Sequence, residues 1–235
     1  MKIRVLSYNI HHGRGLDGEV NLERTAETIL NSKADLIGLQ EVDLGVQRTQ
    51  GKNLPKELAR MTGCEYVFGP NLDYQGGHYG NALLSRYPIV SSRNKHYRML
   101  RAGEQRGLLV SMVNLGFVTL CVANTHLDYR PDPDERLSNI EEMNDELRSF
   151  SEVVITGDFN AQPESQTYRK MVETYKDAWL AEPDQSGDTY SASKPSKRID
   201  YVFFRGRRIT SAGGQVGRSS ASDHLPLWID LQVEE

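Results

Sequence analysis

Hydrogen-bonding or ionisable side chains stand at the ends of six apolar runs in this chain. Asn9 closes "IRVLSYN", Glu41 follows "DLIGLQ", His126 closes "TLCVANT", and Asp158 and Asn160 close "VVITG". Asp200 sits just inside "RIDYVFF", and Asp223 and His224 of "SDH" precede "LPLWIDL". Carboxylates with amides, and no thiolate cluster, suit a hard divalent cation such as Mg²⁺ or Mn²⁺ rather than structural zinc. Two histidines with two further aspartates supply what general acid–base chemistry requires. Taken singly, each residue has a plainer reading. Asn9 serves as a cap or turn residue, Glu41 as a solvated carboxylate, His126 as a core histidine bonded to backbone, Asp200 as a partner of Arg198, and "SDH" as a turn. The argument for one site is the set: six separate strand ends carry compatible groups, and ligand sites gather where rigid strand ends converge.

The elements that must position these groups are legible from periodicity. Runs rich in Val, Ile, Leu and aromatics predict strands at "IRVLSYNI", "DLIGLQ", "NALLSRYPIV", "RGLLVSMVNL", "GFVTLCVANTHL", "EVVITGDF", "RIDYVFFRG" and "LPLWIDLQV". Leu22, Ala26, Ile29 and Leu30 mark a helix face behind a capping Asn21, and Pro55 to Met61 a second short helix stopped at Gly63. A third helix is predicted over 133–150 with Leu137, Ile140, Met143 and Leu147 inward, and a fourth over 164–175. "NLGF" reads as a hairpin between two strands, while other strands alternate with helices. Mixed strand order with helices outside predicts two packed sheets covered by helices, a layered α/β sandwich, although one mixed sheet in three layers has the same periodicity. Within "VVITGDFNAQPES" (153–165), Asp158 and Asn160 alternate, which on a strand points both to one face, and Pro163 then turns the chain.

The chain has 235 residues, 38% hydrophobic and 26% charged, as in ordinary globular proteins, with no linker or repeat; one domain over 1–235 is expected. "MKIRVLSYNI" alternates charged and apolar residues without the apolar core of a signal peptide, and no run is long enough to span a bilayer. Cys64 and Cys121 make neither a disulfide framework nor a metal cluster. A cytoplasmic monomer is the expectation. The net charge of −4 weighs against deep binding of long nucleic acids, which calls for a basic footprint.

In order along nearly the whole chain, "LSYNI", "DLIGLQEVD", "GNALLSRYPI", "ANTHLD", "ITGDFNAQPES", "RIDYVFF" and "SDHLPLWIDL" resemble the endonuclease/exonuclease/phosphatase superfamily, whose fold is that of DNase I. The resemblance implies a four-layer α/β/β/α sandwich of two packed mixed sheets and divalent-metal-dependent cleavage of a phosphate ester, with Mg²⁺ or Mn²⁺ as the cofactor. It casts Glu41 as the main metal ligand with Asn9 and Asp223 near the same ion. Asp158, assisted by Asn160, is cast as the group that orients or deprotonates the attacking water. It gives His224 contact with the scissile phosphate, held by Asp200, and makes His126 a candidate donor to the leaving oxygen. Asn81 and Arg106 lie in family-like segments and are expected to line the substrate pocket.

The same set of groups serves enzymes that cut lipid head groups, nucleotide ends or nucleic acids, as diesters or monoesters, so the substrate stays open. A non-catalytic binding module on this scaffold is a further alternative, against which stands the completeness of the polar strand ends. The segments expected to read substrate are "DLGVQRTQGKN", "PNLDYQGGHYG", "YRPDPDER" and "LAEPDQSGDTYSASKPSKR". His11 and His12 offer imidazoles to a transition metal, but their place after a strand favours solvent-exposed loop residues.

Overall fold

The structure, a computed structural model, describes residues 1–180 and 186–235. Strand β1 (Lys2–Asn9) leads through a 3-10 turn at His11–Gly13 and helix α1 (Leu22–Ser32) into β2 (Leu36–Leu44), parallel to β1. Helix α2 (Leu54–Thr62) precedes a hairpin of β3 (Glu65–Tyr74) and β4 (Gly77–Ser85). The chain then enters a second sheet through β5 (Ile89–His96), β6 (Gly107–Asn114) and β7 (Thr119–His126). Helix α3 (Asp134–Leu147) crosses to β8 (Val153–Asp158), parallel to β7, and is followed by α4 (Gln166–Val172), β9 (Lys176–Asp177) and β10 (Asp200–Arg205). Strands β11 (Ile209–Val216) and β12 (Leu227–Val233) return to the first sheet.

The two six-stranded sheets run β11-β12-β1-β2-β4-β3 and β5-β6-β7-β8-β10-β9. Each is antiparallel except for one central pair joined through a helix, β1–α1–β2 in one and β7–α3–β8 in the other. One apolar cluster, including Ile3, Val5, Val122, Val154 and Val202, fills the space between the sheets. A second packs α1 and α2 on the outer face of the first sheet, and a third packs α3 and α4 on the outer face of the second. This is the α/β/β/α sandwich.

The Asn21 cap of α1 and the Gly63 stop of α2 follow the sequence expectation, and the structure adds a cap at Asn53. Asn21 Oδ1 accepts from the Arg24 N–H, Asn53 Oδ1 accepts from the Lys56 N–H, and Gly63 ends α2 in the left-handed region. Helix α3 differs from expectation. Ile140, Met143 and Leu147 are buried but Leu137 is only half-buried, while Glu135, Arg136 and Asn139 are buried. The reason is polar: Arg136 Nη1 donates to the Asp128 and Arg130 carbonyls and Nε to Thr167 Oγ1, so a buried guanidinium ties down the chain that leaves β7. Helix α4 is shorter than predicted, because Ser165 caps it and Glu164 adopts a φ of 73°.

Three strand assignments change. "NALLSRYPIV" is two strands, β4 and β5, in different sheets. Strands β3 ("EYVFGPNLDY") and β11 ("ITSAGGQV") were hidden by glycine, proline and polar residues that edge positions tolerate. The expected substrate loop at 70–80 is therefore the β3–β4 hairpin, turning at Gln75 and Gly76. Of the expected loop 180–198, residues 181–185 lie outside the described residues.

Candidate active site

The inner faces of the central strands share one gradient. In β1, alternation directs Ile3 and Val5 into the inter-sheet core, then Ser7, then Asn9. In β7 the same face reads Leu120, Val122, Asn124, His126; in β8 it reads Val154, Thr156, Asp158; in β10 it runs back from Phe204 and Val202 to Asp200. Each strand passes from apolar to polar toward one edge of the sandwich, through Ser7, Asn124 and Thr156 on β1, β7 and β8, and the four end in Asn9, His126, Asp158 and Asp200. Strand register does the rest. His126 pairs with Asp158 across β7–β8, and Asp158 pairs with Asp200 across β8–β10, so three functional groups lie in a row on adjacent strand ends.

The neutral polar layer beneath is itself bonded across the sheets. Gln40 Nε2 donates to Asn124 Oδ1 at 2.7 Å, Thr156 Oγ1 donates to the same oxygen at 3.1 Å, and Asn124 Nδ2 donates to the Leu39 and Ala82 carbonyls. The sheets approach closely here because residue 38 is glycine: a Cβ on Gly38 would stand 1.9 Å from Thr156 Oγ1.

Glu41 reaches the site by a different device. Strict alternation after Gln40 would send it outward, but β2 shifts register against β4 between Leu39 and Val42, and Glu41 takes a φ of 58°. A bulge of this kind re-aims a side chain. Asn9 Nδ2 donates to Glu41 Oε1 at 3.0 Å and to Asp158 Oδ2 at 3.1 Å, linking the two sheets. Asn9 Oδ1 accepts the His11 N–H, so the amide nitrogen, not the oxygen, faces the carboxylates. Asn160 is not a strand residue. The strand ends at Asp158, Asn160 adopts a φ of 48°, and its N–H donates to Asp158 Oδ1 in a tight turn. Its side chain donates to the Leu127 carbonyl at 3.1 Å and lies 3.2 Å from His126 Nε2.

His224 Nδ1 donates to Asp200 Oδ2 at 2.9 Å, and its Nε2 lies 3.6 Å from Asp158 Oδ2. Thr189 Oγ1 donates to the same Asp200 oxygen at 2.6 Å, and the Tyr190 ring packs 4.9 Å from the His224 ring. Burial opposes charge on His224, but Asp200 and Asp158, with the hydrogen bond to Asp200, outweigh it and push its pKa up to about 10. Burial and the neighbouring Asp200 push the Asp158 carboxyl up to about 7, against the attraction of His224. His126 goes the other way: burial, then the charges of Arg106 and His224, hold it neutral. Arg106 Nη1 stands 3.1 Å from His126 Nδ1, and because a guanidinium only donates, Nδ1 is the acceptor there, while the Asn160 amide nitrogen, also a donor, faces Nε2. His126 Nε2 lies 3.5 Å from Asp158 Oδ2.

These groups open onto a cleft of about 630 Å³, whose lining includes Glu41, His126, Asp158, Asn160, Asp223 and His224. Arg106 lines it, buried and paired with Glu104 at 3.0 Å. Asn81 does not line it; it is buried behind the wall and donates to the Gly107 carbonyl. Asp223 Oδ1 is 3.5 Å from His11 Nδ1. Among the described residues, two groups have donor atoms close enough to hold a metal ion, Asp158/Asp200/His224 and His11/His12/Glu41.

His11 and His12 depart from the exposed-loop expectation. Both line the cleft, His12 is buried, and burial followed by the charges of Arg48, His11 and Arg14 lowers its pKa to about 3. Thr189 and Arg48 lie in segments expected to read substrate but were not singled out there: Thr189 bonds Asp200, and Arg48 lies against Tyr74 and Tyr79 at 4.9 and 5.4 Å. Only the pairing of remote segments reveals either.

The Endonuclease/Exonuclease/phosphatase family profile matches residues 6–224. Uncharacterized protein YbhP of Escherichia coli (strain K12) is 26% identical over 247 residues, covering 98% of this chain and 96% of its own. The crystal structure of an endonuclease/exonuclease/phosphatase from Beutenbergia cavernae DSM 12333 superposes with a TM-score of 0.82 at 24% identity, over 99% of this chain and 72% of that one. The mannosyl-6-phosphatase Bt3783 of Bacteroides thetaiotaomicron VPI-5482 superposes with a TM-score of 0.76 at 17% identity, over 97% and 99%. At these identities the two structures share the fold.

Proposed function

Because the chain belongs to the endonuclease/exonuclease/phosphatase family, we propose that it is a divalent-metal-dependent phosphodiester hydrolase, acting as one domain on a small or end-presented substrate. The observation that carries this reading is the run Asp200–His224–Asp158–Asn9–Glu41, which spans both sheets: His224, Asp158 and Glu41 line one cleft, and the buried Asp200 and Asn9 hold them from beneath. The donor set suits a cation. Glu41 and Asp223 bring negative charge, and the buried His12 Nδ1 has no hydrogen-bond partner among the described residues. Glu41 and its neighbours would hold a divalent ion, which in such a site supplies Lewis acidity toward a phosphoryl oxygen.

The remaining work belongs to the side chains. Asp158 is a base whose raised pKa matches neutral conditions, placed to orient water and take its proton. Asn160 fixes one Asp158 oxygen through its N–H, and the other, held by Asn9 Nδ2, lies beside the His126 and His224 rings. His224, charged and held by Asp200, donates to the phosphoryl oxygens as negative charge builds. His126, kept neutral by burial and by Arg106, is placed to serve the leaving oxygen.

Charge at the cleft supports a compact substrate. Of the cations lining the cleft, Arg48 is paired with Asp43, Arg106 with Glu104 and Arg130 with Asp128, and Arg136 is spent on backbone carbonyls. That leaves Lys197 as the one without a carboxylate or carbonyl partner among the described residues. A protein that follows a polyphosphate backbone needs uncompensated cations and loses affinity steeply with salt. The test is a parallel assay of a chromogenic diester, a chromogenic monoester, plasmid DNA, short single strands and phospholipid vesicles, with metal removal and add-back. Metal-dependent turnover of the diester is expected. Rapid plasmid nicking with little diester cleavage would make it a nuclease, and preference for the monoester a phosphatase.

A further inference from the structure

His11 and His12 have no part in the proton transfers just described, yet the backbone departs from its favoured conformations to place them. Both adopt left-handed conformations, with φ of 44° and 47°, and Glu41 does so at 58°. Each such residue costs on the order of 1 kcal/mol or more. One ring nitrogen from each histidine and one Glu41 oxygen lie within 4.8 Å of one another. His12 is 7% exposed, and its Nδ1, sealed from solvent, has no hydrogen-bond partner among the described residues. A structural histidine at that depth would give its ring N–H to a carbonyl, because an unmet buried polar atom costs about 1–3 kcal/mol. Strain and lost hydrogen bonding therefore fall on the same small cluster.

We propose that His11, His12 and Glu41 form a binding site for a divalent transition-metal ion, of the Mn²⁺, Co²⁺ or Zn²⁺ class, in preference to Mg²⁺. The inference rests on the reading of Glu41 as a metal-facing carboxylate and names the class of ion. Two imidazoles with one carboxylate are a donor set for borderline transition ions, whereas Mg²⁺ takes oxygen and retains water. The surroundings fit. Asn9 Nδ2 donates to Glu41 Oε1 and orients the carboxylate, while Asp223 faces His11 Nδ1, the outer carboxylate that a ligating histidine commonly has. Of the two arginines whose charge reaches His12, Arg48 is neutralised by two hydrogen bonds of 2.8 Å to Asp43, and Arg14 is exposed to solvent.

The experiment measures Mn²⁺ and Mg²⁺ binding to the metal-stripped full chain by calorimetry, and nitrogen coupling to bound Mn²⁺ by pulsed EPR. Mn²⁺ is expected to bind at least ~10-fold more tightly than Mg²⁺, with imidazole nitrogen coupling. His11→Ala and His12→Gln should each weaken Mn²⁺ binding by about 10-fold or more, the scale typical of altered ligation, and reduce that coupling. His11 is only half-buried, so His11→Ala carries the test even if His12→Gln fails to fold. Equal affinity for the two ions, or absence of nitrogen coupling, overturns the proposal. Hydrolysis supported by Mg²⁺ without nitrogen coupling would leave the hydrolase reading intact and remove this one. Nitrogen-coupled Mn²⁺ with no phosphoester turnover would do the reverse.

Discussion

Asp158 and Asp200 face each other as cross-strand partners at the ends of β8 and β10, both fully buried, and the charged His224 ring is the group that reaches both carboxylates. Two buried carboxylates so placed repel, and the imidazolium resolves the conflict by hydrogen-bonding one and standing 3.6 Å from the other. The pair is thereby differentiated: Asp200 is the anchor and Asp158 the proton acceptor.

That division predicts the mutant kinetics. Asp158→Asn should lower kcat by roughly 10²-fold or more, the scale of a positioned proton-transfer group. His224→Ala should cost as much, and Asp200→Asn should act through His224. The Asp200→Asn/His224→Ala double mutant should therefore be little slower than His224→Ala alone. Additive free energies in single-turnover assays would disprove the coupling.

The same arrangement fixes a pH dependence for the metal-free protein. The folded pKa of His224, about 10, lies above its ordinary 6.5, so folding favours the protonated ring. Its contribution to stability is full below pH 6.5 and is lost as pH rises through about 10. Ring NMR signals of His224 should accordingly stay those of an imidazolium at neutral pH, and Asp200→Asn should move the titration down. A ring that titrates near 6.5 in the wild type would contradict the geometry.

Much of this site was readable in the sequence because a strand's alternation is local information. Val154, Thr156 and Asp158 share a face whatever lies opposite, and the same holds for Val122, Asn124 and His126. What was not readable depended on departures from alternation or on remote pairing. The bulge that re-aims Glu41 and the left-handed turn that buries His12 have no composition signal; Gln40–Glu41 and His11–His12 would read equally well as strand end and exposed loop. The edge strands β3 and β11 escaped because glycine and proline are tolerated where only one neighbour needs hydrogen bonds. Asn81, in a family-like segment, proved to be part of the sheet's internal bonding, a distinction that only depth decides.

Arg106 should control the protonation of His126 without itself transferring a proton. After burial, its charge is the largest cause keeping that imidazole neutral, and its Nη1 presents only a donor to Nδ1. Arg106→Gln should raise the His126 pKa, read from nitrogen NMR of the ring. An unchanged pKa would reduce Arg106 to a partner of Glu104.

Gly38 should prove as necessary to the site as the ionisable residues, though it lies a layer below them. It sits on β2, which carries Glu41, and faces Thr156 on β8, which carries Asp158. A methyl at position 38 would need the Thr156 Cβ, only 2.7 Å away, to move, and backbone strands in a packed interior have nowhere to yield except apart. Gly38→Ala should destabilise by about 1–3 kcal/mol, the usual cost of overpacking. It should also separate the sheets across which Asn9 joins Glu41 and Asp158, so that kcat falls in the fraction that remains folded. Thr156→Gly removes the clashing side chain, and the double variant should be less destabilised than the sum of the two single changes. Thermal melts and kcat measured well below the melting transition separate the two effects. A destabilised Gly38→Ala enzyme with wild-type kcat would show that the sheet separation is not what sets the distance between the two carboxylates.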